Sequence, residues 1–229
     1  MHALITAVLR GSAVLLVASL ASGTFAADNS TAERWDARYG KAESFVYGSE
    51  PVRFLEEQMP KLAQRKGRAL CLAAGEGRNA VYLAQQGFEV VAVDISAVGL
   101  EKCRALAQRR GVDVETVTAD LTTFDLGIES YDLITDFYYH QPDLFPKILA
   151  ALKPGGFFIL QNFTIDQPAI GRFGPKNPAY LAKPNELLLA FSGYRIRHYE
   201  DTVVELDEGM HRGPGAVVRL VVEKLSVRP

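Results

Sequence analysis

The residues most able to do chemistry lie in short stretches, each directly after an apolar run. The first is Ala74-Gly75-Glu76-Gly77-Arg78-Asn79, which follows the run Ala69 to Ala73. A strand that ends in two glycines one residue apart, and then passes into a helix, lets the backbone approach a ligand. The helix start adds unpaired N–H donors. By itself such a turn fits a nicotinamide fold, another adenosyl fold or a plain tight turn. The second signal is Asp94, just after the β-branched run Glu89 to Val93. A carboxylate there can accept from both hydroxyls of a ribose, or it can cap the helix that opens near Ser96. The third is Asp120-Leu121, after Val114 to Thr118. The Asp can accept from an adenine amino group while the Leu N–H donates to a ring nitrogen, a pair that dinucleotide folds do not need. Together the three point to an adenosine-containing ligand.

A further stretch, Asp136-Phe137-Tyr138-Tyr139-His140, follows the run Tyr131 to Thr135 and falls at the mouth of the expected site. Tyr138, Tyr139 and His140 are the candidate catalytic residues. They can contact a second substrate, and His140 can serve as a base near neutral pH. They equally suit wall aromatics and a histidine that caps backbone. His211, within Glu208 to Gly213, is a second candidate base and is expected in an exposed loop. Arg172 and Arg212 are candidates for holding an anionic acceptor. His2, His140, His198 and His211 lack ligand spacing and no Cys-x-x-Cys occurs, so no metal site is expected. Neither a Gly-x-Ser-x-Gly turn nor a Walker loop is present.

Elements that could position these residues follow from the periodicity. Thr31 to Gly40 reads as a helix with Trp35 and Tyr39 on one face. Pro51 opens another, with Val52, Leu55 and Met59 as its apolar stripe. Strands are expected at 69–73, 89–93, 114–118, 131–135 and 157–161. Helices are expected at 79–86, 97–110 and 143–152, with Pro154-Gly155-Gly156 as a turn. Residues 166–184, rich in Gly and Pro, read as a long surface loop. A helix at 185–191, a strand at 194–206, a glycine-rich connection at 207–215 and a strand at 216–224 complete the chain. Short strands alternating with helices predict an α/β fold. The form expected is a Rossmann-like, seven-stranded, mostly parallel sheet with helices on both faces and an antiparallel C-terminal strand pair.

With these motifs in place, residues 33–224 resemble class I S-adenosylmethionine-dependent methyltransferases. Within that class the likeness is to the group with the tellurite-resistance and thiopurine methyltransferases. The matching stretches are ERWDARYG (33–40), LAAGEGRNAVYLA (72–84), VVAVDISAVGLEK (90–102), ADL (119–121), YDLI (131–134) and LKPGG (152–156). The resemblance implies S-adenosyl-L-methionine as cofactor and a small-molecule methyl acceptor. It implies that Gly75 and Gly77 border the methionyl part, that Asp94 holds the ribose with Ile95 against the adenine, and that Asp120 and Leu121 hold the adenine edge. Trp35 and Tyr39, with Tyr47, would close over the cofactor as a lid. One departure stands out. Many relatives have Asp where Cys71 stands and Gly-Cys or Gly-Ser in place of Ala73-Ala74, and Glu76 is the expected substitute for the contact to the cofactor's amino end. That departure motivates one alternative, a non-catalytic adenosyl-ligand binding protein. The other is a nicotinamide-dependent oxidoreductase, which Ala80 permits but for which no Tyr-x-x-x-Lys pair is found.

Composition sets the frame. Of 229 residues, 48% are hydrophobic and 23% charged, which is enough apolar material for one buried core without disulfides. The net charge of −2 lacks the basic footprint of a nucleic-acid binder, and no such partner is expected. Arg104, Arg109 and Arg110 suit the solvated face of one helix. Cys71 and Cys103 read as small buried hydrophobes. At the N-terminus, Arg10 precedes an apolar run from Gly11 to Ala21, and small residues surround Phe25. This is the order of a secretory signal over residues 1–26, leaving a domain of residues 27–229. The run is too short to span a bilayer comfortably. A periplasmic or secreted location follows if the leader is genuine, and a cytoplasmic one otherwise. The oligomeric state leaves no mark in the sequence.

Overall fold

The computed structural model describes residues 29–41, 43–62 and 66–226. The expected leader, residues 1–26, lies outside the described residues. Among the described residues, seven strands form one sheet: β1 (Arg68–Leu72), β2 (Glu89–Asp94), β3 (Glu115–Thr118), β4 (Tyr131–Phe137), β5 (Leu152–Phe163), β6 (Arg195–Glu208) and β7 (His211–Glu223). Their order is β3-β2-β1-β4-β5-β7-β6. The first five run parallel, while β7 is antiparallel to both β5 and β6. This is the α/β architecture expected from the sequence.

The near-continuous apolar runs of β1, β2 and β4 are explained by cover on both faces. Leu70, Leu72, Val91, Val93, Ile134 and Leu160 pack beneath α5 (Phe145–Ala151) and α7 (Glu186–Ala190). The alternate residues Ala69, Cys71, Val90, Ala92, Leu133 and Ile159 pack on the other face. There they meet α2 (Arg53–Gln58), α3 (Arg78–Gln85) and α4 (Ala97–Arg110). α1 (Asn29–Gly40) lies across α4, and α6 (Gln167–Ile170) sits beside β7. The chain leaves β1 toward β2 and β3, then returns to place β4 on the other side of β1. That reversal opens a crevice at the carboxyl ends of β1 and β4, where ligands of such sheets bind.

Three local expectations are corrected. Residues 166–184 are not simply a surface loop. Gln167 is buried, its Oε1 accepts from Ala216 N–H at 2.7 Å and its Nε2 donates to Phe173 O at 3.0 Å, which stitches the segment to the sheet. The turn expected at Pro154 to Gly156 is absorbed into the head of β5, where the register with β4 shifts. The connection expected at 207–215 is mostly strand: β6 runs to Glu208 and β7 starts at His211, with Gly209 at φ +61° in the two-residue link. A positive φ at the first link residue matches the twist of a tight hairpin. No helix among the described residues is long and apolar enough to cross a membrane.

Candidate functional site

At the end of β1 the backbone takes three left-handed residues, Ala73 (φ +47°), Gly75 (+54°) and Gly77 (+84°). The turn aims Gly75 N–H at Asp94 Oδ2, 2.7 Å away, and Ser96 N–H donates to Asp94 Oδ1 at 2.8 Å. Each carboxylate oxygen keeps a lone pair for a further donor such as a hydroxyl. Burial raises the Asp94 pKa above the usual range, against the pull of those N–H donors. The two glycines do different work. A Cβ at Gly75 would stand 2.6 Å from the Tyr39 hydroxyl, so this glycine lets the Tyr39 side chain close onto the turn. A Cβ at Gly77 would stand 2.2 Å from Cys103 Sγ, so this one lets α3 pack on α4.

Across the crevice, Asp120 Oδ1 accepts from the Thr122 N–H at 2.9 Å and its hydroxyl at 2.8 Å, and Leu121 is buried beside it. Ile95 is half-buried at the end of β2. Tyr139 stands among the acidic groups. Its pKa is pushed up to about 12, first by burial and then by Asp136, Asp120 and Asp94. Asp136 is fully buried, and desolvation holds its carboxyl well above the usual range.

The N-terminal helix covers this crevice. Trp35 and Tyr39 stack at 5.6 Å. Asp36 accepts from the Ser96 hydroxyl and, at 3.2 Å, from Val98 N–H, so α1 is pinned to the start of α4. Lys102 donates to Tyr39 O at 2.6 Å and to Glu76 Oε1 at 3.1 Å. The other Glu76 oxygen accepts from the N–H groups of Val46 and Tyr47 at 2.8 and 3.2 Å. Glu76 thus straps the 46–47 loop down. Cys71 is buried against Thr135, whose side chain it hydrogen-bonds, inside the core.

The three candidate catalytic residues are not brought together. Tyr138 takes φ +65° and packs on Phe163, 4.8 Å between ring centroids, whereas Tyr139 packs against the core beneath α5 and α7. The Tyr138 hydroxyl donates to Glu208 Oε2 at 2.9 Å and accepts from Gln161 Nε2 at 2.5 Å. Glu208 also holds Arg78 at 3.1 Å, and Arg78 donates to Tyr47 O at 2.8 Å. His140 lies on the other side, with Nε2 3.3 Å from Glu186 Oε2. His211 is corrected from exposed loop to buried strand, because the hairpin folds over the end of the sheet. Tyr47, Tyr138, Phe163 and Phe173 surround its ring at 4.8–5.3 Å. Burial, then Arg78 and Arg38, lower its pKa to about 4. Arg212 pairs with Asp207 on the exposed hairpin, and Arg172 is exposed; neither enters the site. Sequence reasoning missed Arg78, Glu208, Gln161 and Glu186. Only Arg78, set directly after the glycine turn, carried a local signal.

Residues 69–156, from β1 to the head of β5, match the family model described as a methyltransferase domain. Hemagglutinin 1 of Eikenella corrodens is 27% identical over 145 residues, covering 59% of this chain and 46% of that protein. Demethylmenaquinone methyltransferase of Renibacterium salmoninarum is 30% identical over 121 residues, covering 51% of this chain and 48% of that protein. The chain spans about half the length of the curated relatives it matches. The crystal structure of TehB from Haemophilus influenzae shares the fold, with a TM-score of 0.64 at 16% identity over 83% of this chain and 67% of that one. In sequence and in fold, then, the chain resembles class I S-adenosylmethionine-dependent methyltransferases. That family implies S-adenosyl-L-methionine as the cofactor.

Proposed function

We propose that the chain is an S-adenosylmethionine-dependent methyltransferase that transfers a methyl group to a small-molecule acceptor by in-line displacement. One observation carries the reading: Asp94, at the end of β2, accepts from Gly75 N–H at 2.7 Å, which sets a carboxyl group directly beside the glycine turn. A carboxyl group there suits the ribose hydroxyls of an adenosyl ligand, and Asp120, just after β3, suits the adenine edge. The residues present suit the group. Asp94 would hold the ribose, Asp120 and Leu121 the adenine edge, Ile95 the adenine face and Gly75 the methionyl part, with Trp35 and Tyr39 above. When bound, S-adenosylmethionine supplies an electrophilic methyl group on a positively charged sulfur. The chain's own task is to hold the acceptor in position and keep water out. Export with cleavage after Ala26 belongs to the same proposal.

Calorimetry on the purified chain tests it. Heat is expected with S-adenosylhomocysteine and with S-adenosylmethionine, none with a nicotinamide dinucleotide, and Asp94→Asn should weaken binding at least tenfold. Binding of the dinucleotide alone would overturn the assignment. N-terminal sequencing of the protein from fractionated cells tests the leader: a first residue other than Ala27 would refute the cleavage.

A further inference from the structure

Four buried polar side chains on one face of the sheet take no part in the cover or the hairpin described above. Asp136, near the end of β4, stands opposite Leu160 of β5. Paired residues on parallel strands point to the same face, and alternate residues return to it. Asn162 and then Thr164 therefore follow Leu160 on that face. Asn162 stands opposite Val218, which with Ile134 and Leu160 belongs to the core beneath α5 and α7, so this is the α5–α7 face. His140 joins from beyond β4, held by Glu186 at the head of α7.

All four residues are at most 9% exposed. Asp136 Oδ1, His140 Nδ1, Asn162 Nδ2 and Thr164 Oγ1 have no hydrogen-bonding partner among the described residues. A buried polar atom left so costs about 1–3 kcal/mol. Asn162 already spends its Oδ1 on the Phe163 N–H at 2.9 Å, while its amide donors are unused. Four such atoms at the carboxyl ends of two adjacent strands, next to the crevice, are the mark of a polar subsite rather than of core packing. An apolar groove between α5 and α7, walled by Pro142, Phe145, Pro146 and Tyr194, includes Glu186.

We propose that Asp136, His140, Asn162 and Thr164 form the polar end of the acceptor site, and that the site takes a small hydroxyl-bearing molecule with an apolar body, a phenol or an alcohol. The proposal rests on the methyltransferase reading and names its substrate class. The hydroxyl donates to His140 Nδ1 and accepts from Asn162 Nδ2, and the apolar body lies along the groove. Glu186 Oε2, 3.3 Å from Nε2, favours the tautomer with its proton on that nitrogen, which leaves the Nδ1 lone pair open. Burial keeps the His140 pKa low despite Glu186, so the imidazole is neutral at pH 7 and can take the proton. On proton transfer the O–H bonding pair stays on oxygen, the proton goes to Nδ1 and the imidazolium faces Glu186.

The test uses the full chain labelled with 15N-histidine, phenol as probe and toluene as the same shape without the hydroxyl. Phenol should shift the His140 imidazole resonances saturably, those resonances being identified by their loss in His140→Gln, and toluene should not. Asn162→Leu should weaken phenol binding about tenfold, the loss of about one hydrogen bond. Binding of S-adenosylhomocysteine to that variant should be unchanged. Thr164→Val, close to isosteric, should give a smaller loss in the same direction and guards against misfolding of the first variant. Equal responses to phenol and toluene, no response to either, or unchanged phenol affinity in both variants would overturn the proposal. If S-adenosylhomocysteine binds and phenol does not, the acceptor class alone falls. If phenol binds and neither sulfur compound does, the methyltransferase reading falls.

Discussion

Ala73 holds φ +47°, and a side chain in the left-handed region costs about 1–2 kcal/mol. Ala73→Gly removes that strain but loosens the unfolded chain and loses a methyl contact. A net gain of up to about 1 kcal/mol is expected, read as a melting temperature a few degrees higher. His211 predicts a pH dependence. In the unfolded chain it protonates near 6.5, in the folded protein only near 4. Between those values the unfolded state binds the extra proton, so stability should fall as pH drops from about 6.5 to about 4, by roughly 3 kcal/mol. His211→Phe, which keeps a ring in the aromatic box, should flatten that part of a denaturation-against-pH curve. A slope identical to the parent would mean that the histidine is not neutral in the fold. At this scale the sequence was legible for Asp94 and Gly75, whose chemistry follows from their place at strand ends. It was not for Glu76, whose two oxygens are claimed by backbone N–H groups about 30 residues away and by Lys102.

Elements were the most legible level. α4 follows the predicted helix because Ser96 caps it and Gly111, at φ +69°, ends it. Where the prediction failed, the glycines were ambiguous. Gly209, Gly213 and Gly215 read as a loop, yet Gly209 makes the hairpin link and Gly215 sits inside β7 under Leu206. Gly77 carries the sharpest prediction for helix packing. A methyl there meets Sγ, Cβ and Cα of Cys103 within 2.9 Å, so α3 and α4 must separate. Gly77→Ala should cost at least about 2 kcal/mol, seen as a lower denaturant midpoint. Adding Cys103→Ala should restore only part, since the Cβ remains in the way. Full restoration, or no loss in the single variant, would contradict this packing.

For the whole molecule, Glu208 is the tie between distant parts. It joins Arg78 at the start of α3 to the β6–β7 hairpin, 130 residues apart, and also receives the Tyr138 hydroxyl. Both members of the ion pair are buried. Removing one alone leaves an uncompensated charge, so Glu208→Ala should cost about 3–5 kcal/mol. Replacing both, as Arg78→Met with Glu208→Leu, should cost clearly less than the sum of the single changes, and a double-mutant cycle by denaturant unfolding measures the difference. Additive losses would show that the pair does not couple hairpin to helix.

The sequence by itself determined the α/β alternation, the glycine turn after β1 and the acidic residues at the ends of β2 and β3. These depend on periodicity and turn chemistry, which act over a few residues. Only the tertiary structure decided that Tyr138 and His140 face opposite sides of the sheet, that His211 is buried among aromatic rings, and that Glu76 and Glu208 serve as straps. Those outcomes depend on which distant N–H, guanidinium or ring reaches each side chain, and a contact made across 30 or 130 positions leaves no local pattern to read.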